Sequence, residues 1–294
     1  MKQVKIITDS CSDLDRGLRD KYGIDYVKMN VVIHGEEKPA NLDWELYSPK
    51  EFYDVMRGGE RITTTQVPAA EFLDVFGKYA EQGFDIVYIA CSAVLSGSVN
   101  TGIVVAKELK EKYPETQIIC IDSKNSCMGE GSIAIYAATL AEQGKSAQEI
   151  ADAVDDMKLS VNQFAAVEKL DYLKRAGRVK ASSAFFGNLF GVKPIIISDA
   201  NGQNVAVTKV KGRSNSIREC VNMLKDVIIE PENQTVFVGH ADCEDAAIEL
   251  KELVEQEIKP AAVHMGYIGP IIGASVGPGT LVIYGKGKKV EIQG

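Results

Sequence analysis

VKIIT (4–8), FDIVYIA (84–90) and TQIICID (116–122) are the stretches on which the fold turns. Each is a short apolar run rich in β-branched residues, without the polar alternation of a half-exposed strand. Runs of this kind are buried on both faces, as in a parallel sheet. Amphipathic patterns at 68–82, 97–112 and 131–143 lie between or after them and read as helices. This strand–helix rhythm predicts an α/β fold with a doubly wound, mostly parallel sheet, whose ligand groups sit at the carboxyl ends of the strands. IDYVKMNVVIHGEEK (24–38) interrupts it and reads as a hairpin appended to the sheet, turning near Gly35. Two helix starts carry capping boxes, Ser48-Pro49-Lys50-Glu51 and Ser146-Ala147-Gln148-Glu149, the second opening a helix over 147–158.

Beyond that helix the texture changes. NQFAAV, KPIIIS, NVAVTKV, QTVFVGH, AAVHMG and TLVIYGK read as strands, with helices at 212–229 and 243–257. The expected organisation is an N-terminal α/β domain over 1–157 and a C-terminal α/β domain with a mixed sheet over 158–294. No linker rich in Pro, Gly or Ser joins them, so the halves are expected to pack closely.

Composition narrows the function. In 294 residues, 45% hydrophobic and 25% charged is an ordinary globular balance. A net charge of -8, from 33 basic and 41 acidic side chains, gives no global attraction for nucleic acid. Cys11, Cys91, Cys120, Cys127, Cys220 and Cys243 form no C-x-x-C pair, and the histidines are His34, His240 and His264. Neither a zinc knuckle nor a redox dithiol is spelled out, so reduced thiols, no metal and no cofactor are expected. MKQVKIITDSCSDL reads as a first strand rather than a signal peptide, and no apolar run nears the ~20 residues that span a bilayer. A soluble, cytoplasmic protein without a membrane segment is expected.

Three strand ends run into small hydroxyl residues: Asp9-Ser10-Cys11-Ser12-Asp13, the Ser92–Ser98 stretch, and Asp122-Ser123. Thr63-Thr64-Thr65-Gln66 precedes a helix starting near Pro68. Hydroxyls and free N–H groups at helix starts favour an anion, although each alone is explained by capping. With a helix over 97–112, Ser96 stands at its N-cap. Gly129-Glu130-Gly131-Ser132-Ile133-Ala134 imitates a dinucleotide fingerprint. It lies about seven residues from its strand and lacks the acidic residue ~20 positions on, so close helix packing explains it better. Gly285-Lys286-Gly287-Lys288-Lys289 lacks phosphate-loop spacing and reads as a turn. There is no recognisable Ser–His–carboxylate set. A binding protein is therefore expected rather than an enzyme. Lys169, Lys174, Arg175, Arg178 and Lys180 form a basic stretch in an acidic chain, either a solvated helix face or a docking surface. Ala184-Phe185-Phe186-Gly187-Asn188-Leu189-Phe190-Gly191 and Ile268–Ser275 are either core or the wall of an apolar tunnel.

In chain order, DSCSDL (9–14), TTQVPAAEF (64–72), SAVLSGS (92–98), DSKNSCMGEG (122–131), LDYLKRAGRV (170–179), GVKPIIIS (191–198) and IGPIIGASVGPG (268–279) resemble the DegV family of bacterial lipid-binding proteins. That family includes the fatty-acid-binding subunits of fatty acid kinase, and the resemblance covers almost the whole chain. It implies a long-chain fatty acid such as palmitate, its carboxylate at the domain interface and its chain in the second domain. A separate kinase subunit then converts the bound carboxylate to an acyl-phosphate. The family's carboxylate-gripping threonine and serine match Thr64 and Ser96, with Thr65, Ser92, Gly97 and Ser275 beside them. Its partner-facing arginine matches Arg178, next to Lys174 and Arg175. The chain departs from the pattern in three places: Ser275 stands where a histidine is frequent, the proline of TSQP is displaced to Pro68, and Ala93 replaces a serine. Two other readings stay open. One is an α/β enzyme that cradles a small phosphorylated substrate in the hydroxyl loops, and the other is a lipid-sensing regulator.

Overall fold

Ile86, Val87, Tyr88, Ile89 and Ala90 are fully buried, which explains why their stretch shows no alternation: helices cover both faces of the sheet they cross. The computed structural model describes residues 2–182, 185 and 191–292. In the first half the order is β1 (Val4–Asp9), α1 (Arg16–Tyr22), β2 (Asp25–Val27), β3 (Asn30–Ile33), β4 (Glu36–Pro39), α2 (Pro49–Arg57), β5 (Thr63–Thr65), α3 (Ala69–Glu81), β6 (Asp85–Ala90), α4 (Ser98–Lys112), β7 (Ile118–Asp122), α5 (Cys127–Glu142) and α6 (Ala147–Met157). The strands β2-β1-β6-β7 pair in parallel in that order. The three apolar runs are thus neighbours in one sheet. Helices α3 and α4 pack as one pair against it and α5 and α6 as another.

The expected hairpin is only partly as read. Its first residues form β2 of the parallel sheet, and β3 and β4 pair with β5 in a separate three-stranded antiparallel sheet. The chain leaves the parallel sheet after β2, where the Ser10 hydroxyl accepts the Met29 N–H (3.0 Å) and donates to the Ala40 carbonyl (2.8 Å). The turn is as expected: His34 (φ 53) and Gly35 (φ 77) are both left-handed, as a two-residue hairpin loop requires.

Both capping boxes form, with Glu51 accepting the Ser48 N–H at 2.8 Å and Glu149 accepting the Ser146 N–H at 2.9 Å. Two helix starts differ from the reading. Helix α4 begins at Ser98 with Gly97 as its N-cap, so Ser96 stands one residue before the cap. Helix α5 begins at Cys127 rather than at 131, which places Gly129 and Gly131 within its first turns. Close packing is indeed their reason. A Cβ at Gly131 would stand 2.6 Å from the Ser12 carbonyl, and one at Gly129 2.7 Å from the Tyr284 ring.

The second half continues with β8 (Val161–Ala166), α7 (Asp171–Ala176), β9 (Val192–Ser198), β10 (Asn204–Lys211), α8 (Arg213–Lys225), β11 (Thr235–His240), α9 (Glu244–Glu257), β12 (Ala262–Tyr267), α10 (Pro270–Val276) and β13 (Leu281–Lys286). Its six-stranded sheet is mixed, in the order β10-β9-β8-β13-β11-β12, with β11 and β12 parallel and the other pairs antiparallel. Alternation sorts the two faces. On β13, Leu281 and Ile283 join the core under α8 and α9, while Val282 and Tyr284 join the core shared with the first half. Helix α10 packs on α2, β3 and β5, and the Tyr53 hydroxyl donates to the Ile268 carbonyl at 2.6 Å across the join. Most of the stretch from Ala184 to Phe190 lies outside the described residues, so its expected tunnel role has no structural account here. Among the described residues no helix is long and apolar enough to cross a membrane.

Candidate functional site

The site is built on the carboxyl ends of β1 and β6. Asp9, fully buried, accepts the Cys11 N–H (2.8 Å), the Cys91 N–H (3.1 Å) and the Tyr88 hydroxyl (2.7 Å), so one carboxyl fixes both loops. Burial raises its pKa, and those three donors oppose the rise. The loop after β6 then curls, the Leu95 and Ser96 N–H groups both reaching the Ser92 carbonyl at 2.9 Å. Ser96 Oγ lies 2.9 Å from Ser98 Oγ, which accepts the Val67 N–H at 3.2 Å and ties this loop to the chain following β5.

Thr63–Thr65, read as a segment before a helix, is a strand. Its alternation turns Thr64 inward and leaves Thr63 and Thr65 exposed. The Thr65 hydroxyl donates to Glu37 at 2.8 Å, whereas that of Thr64 has no hydrogen bond among the described residues. Helix α10 brings Ser275 to the same place.

Thr64, Thr65, Ser96, Gly97 and Ser275 line one cavity of about 160 Å³. Ser92 does not line it. Its side chain lies fully buried against Gly202, and its hydroxyl has no partner among the described residues. The Ser10 hydroxyl is spent on the Met29 N–H and the Ala40 carbonyl, and that of Ser123 on the Asn125 backbone. The convergence expected of three hydroxyl-bearing strand ends is therefore narrower, because these two hydroxyls are taken up by backbone groups.

Apolar side chains line the same cavity. Ile268, Ile271, Ile272 and Val276 come from α10 and its approach, and Ile196 and Val282 from the six-stranded sheet. Arg178, exposed, follows the left-handed cap Gly177 (φ 68) and also lines the cavity. Its Nε donates to the Leu95 carbonyl at 2.7 Å, so the arginine clasps the serine loop from across the join. Arg175 lies over the Tyr172 ring (4.8 Å) in an adjoining cleft, and Lys174 is exposed on α7.

No histidine lines the cavity among the described residues. His240 ends β11, buried and 4.3 Å from the Tyr267 ring, and burial lowers its pKa. Cys11, Cys91 and Glu130 bring one donor atom each within 4.8 Å of one another, a grouping invisible at such sequence separations. The hydrogen bond to Cys91 and burial push the Cys11 thiol up, and burial does the same to the Glu130 carboxyl.

The family model "DegV: Uncharacterised protein, DegV family" matches residues 3–285, spanning both halves of this cavity. The chain belongs to the DegV family. A DegV domain-containing protein of Clostridium perfringens is 35% identical over 291 residues, 99% of this chain and 100% of that one. Among solved structures, a DegV lipid binding protein from Thermotoga maritima is similar at 25% identity and TM-score 0.86, covering 99% of this chain and 100% of its own. DegV, a fatty acid binding protein from Bacillus subtilis, is similar at 26% identity and TM-score 0.82, with 98% and 100% covered. In this DegV chain the sequence reading passed over Met29, Gln163, Asn204 and Tyr284, which also line the cavity. A signal existed for one of them. In NQFAAV, Gln163 shares a face with Ala165, and an amide at that position of a buried strand is out of pattern.

Proposed function

We propose that this DegV protein is a cytoplasmic carrier, without catalytic machinery of its own, that binds a long-chain fatty acid such as palmitate. It presents the carboxylate to a separate kinase subunit for acyl-phosphate formation. The observation that carries the reading is one cavity lined both by hydroxyl side chains, Thr64, Thr65, Ser96 and Ser275, and by a cluster of apolar residues. Residues 1–157 then form the unit that supplies most of the donors, and 158–294 the unit that houses the chain. The apolar cluster also favours a carrier over an enzyme of a small phosphorylated substrate, which has no use for it. The fatty-acid- and lipid-binding relatives support the same ligand class.

The energetics are adequate. At about 0.8 kcal/mol per buried CH₂, a ~16-carbon chain has roughly 12 kcal/mol of gross driving force, less several kcal/mol for ordering and desolvation. The carboxylate is tolerated only where donors surround it. Ser275 supplies a neutral hydroxyl where the family pattern has a cationisable histidine.

Thr64→Val and Ser96→Ala should each weaken fatty-acid binding by ~1.5–3 kcal/mol, the worth of a hydrogen bond to a charge. Competition against a fluorescent fatty acid measures this. Parent-like affinity in both variants would show that the head group lies elsewhere.

Arg178→Ala tests the docking half of the proposal. Acyl-phosphate formation with added kinase should slow, most at low salt, while fatty-acid affinity changes little, because exposed charges act on association rate. Collapse of affinity with turnover intact would make Arg178 a pocket residue, a role its Leu95 contact also permits. Acyl-phosphate made by the chain alone would overturn the carrier reading.

A further inference from the structure

An unsubstituted alkyl chain asks only for apolar neighbours, and the strands beneath this cavity had every opportunity to provide them. Yet Gln163, Asn204 and Tyr284 line it, each between 2% and 7% exposed, beside Ala165, Ile196 and Val282. Gln163 on β8 and Tyr284 on β13 are direct cross-strand partners. The Tyr284 hydroxyl donates to Gln163 Oε1 at 3.0 Å, Gln163 Nε2 donates to Asn204 Oδ1 at 3.0 Å, and Asn204 Nδ2 donates to the Arg178 carbonyl at 3.2 Å.

The chain of bonds does not exhaust its members. A carboxamide has two N–H donors and an oxygen with two lone pairs. Gln163 and Asn204 each spend one N–H and one lone pair on the bonds above, leaving one of each on both residues with no partner among the described residues. Packed against methylene groups, these spare donors would lose the hydrogen bonds that water gives them in the unfolded chain. A hydroxyl on the ligand satisfies both kinds of vacancy, accepting from an amide N–H and donating to an amide oxygen. An oxo group satisfies the donors alone.

We infer that the acyl site of this protein recognises an oxygenated fatty acid, a hydroxy or oxo acid, through the amides of Gln163 and Asn204. The inference rests on the fatty-acid reading and specifies the substrate class of that same cavity. Such a preference is not a default: a hydroxyl entering a wholly apolar wall surrenders its water without compensation and binds worse than the plain chain.

The test uses the full chain, stripped of lipid, titrated with hexadecanoic acid and with its hydroxy and oxo derivatives substituted at mid-chain and terminal positions. At least one hydroxy acid should bind tenfold or more tightly than hexadecanoic acid. In Gln163→Leu, and separately in Asn204→Ala, that ratio should fall toward one, through weaker hydroxy-acid binding. If every oxygenated acid binds the parent no better than hexadecanoic acid, the inference is wrong while the carrier reading stands. If no acid of either class binds, the carrier reading itself has failed. The parent series decides the matter even where a variant does not fold.

Discussion

Asp13→Asn is expected to stabilise the protein, by a margin that widens from pH 5 to pH 8. Asp13 is 5% exposed, and neither of its oxygens has a partner of full hydrogen-bond geometry among the described residues. Burial carries its pKa up to about 8. The Cys127 thiol and the Gly269 N–H oppose the rise, while the neighbouring Asp9 adds to it. In the unfolded chain the same group titrates near 3.9. Between those values the native protein holds a proton that the unfolded protein has released, so stability falls as pH rises, and the loss is complete above the folded pKa. One such group costs about 1.4 kcal/mol per pH unit, so the gap between variant and parent should grow by about 4 kcal/mol from pH 5 to pH 8. Asparagine keeps the shape and tolerates the left-handed backbone found here (φ 51). Asp9 and Glu130 are raised as well, so both proteins keep some slope, and only the difference isolates Asp13. Urea unfolding at pH 5, 6.5 and 8 measures it. Parallel pH profiles would mean that Asp13 is ionised and solvated in the native state.

Gly131→Ala should destabilise strongly, although alanine is the better helix former by about 1 kcal/mol. The new Cβ would lie 2.6 Å from the Ser12 carbonyl and 2.7 Å from Leu14 Cδ2. Ser12 cannot retreat cheaply, since its N–H is held by the Asp9 carbonyl at 3.0 Å. Overpacking of this kind costs about 1–3 kcal/mol and sometimes more, so a net loss near 2 kcal/mol is expected, growing with side-chain size. Gly77→Ala in α3 is the matched control: nothing lies within 4 Å of its Cβ position, and a gain of up to about 1 kcal/mol is expected. Urea midpoints should therefore move in opposite directions for the two substitutions. A shift of the same sign in both would remove the packing account of the glycine string.

What was legible beforehand was local. The runs at 4–8, 84–90 and 116–122 became adjacent parallel strands because a strand buried on both faces must be apolar throughout its own length. The capping boxes at Ser48 and Ser146 formed because both partners lie within one turn. Thr64, Ser96 and Ser275 were named from motif resemblance, and the structure brings their side chains to one cavity. Ser92, named on the same grounds, does not line it, and its side chain is buried against Gly202.

The amino-acid sequence alone therefore determined the buried parallel strands, the longer helices between them and the family motifs, since each depends on periodicity or on neighbours along the chain. Tertiary structure alone decided the rest. Thr63–Thr65 is a strand only because β3, some thirty residues earlier, offers it an edge. Gln163, Asn204 and Tyr284 meet only because β8, β9, β10 and β13 share a sheet, and Asp13 is strained in charge only because α10's approach closes over it. Hydrogen-bond partners and local dielectric are set by what arrives from elsewhere in the chain, and no pattern within a segment encodes its visitor.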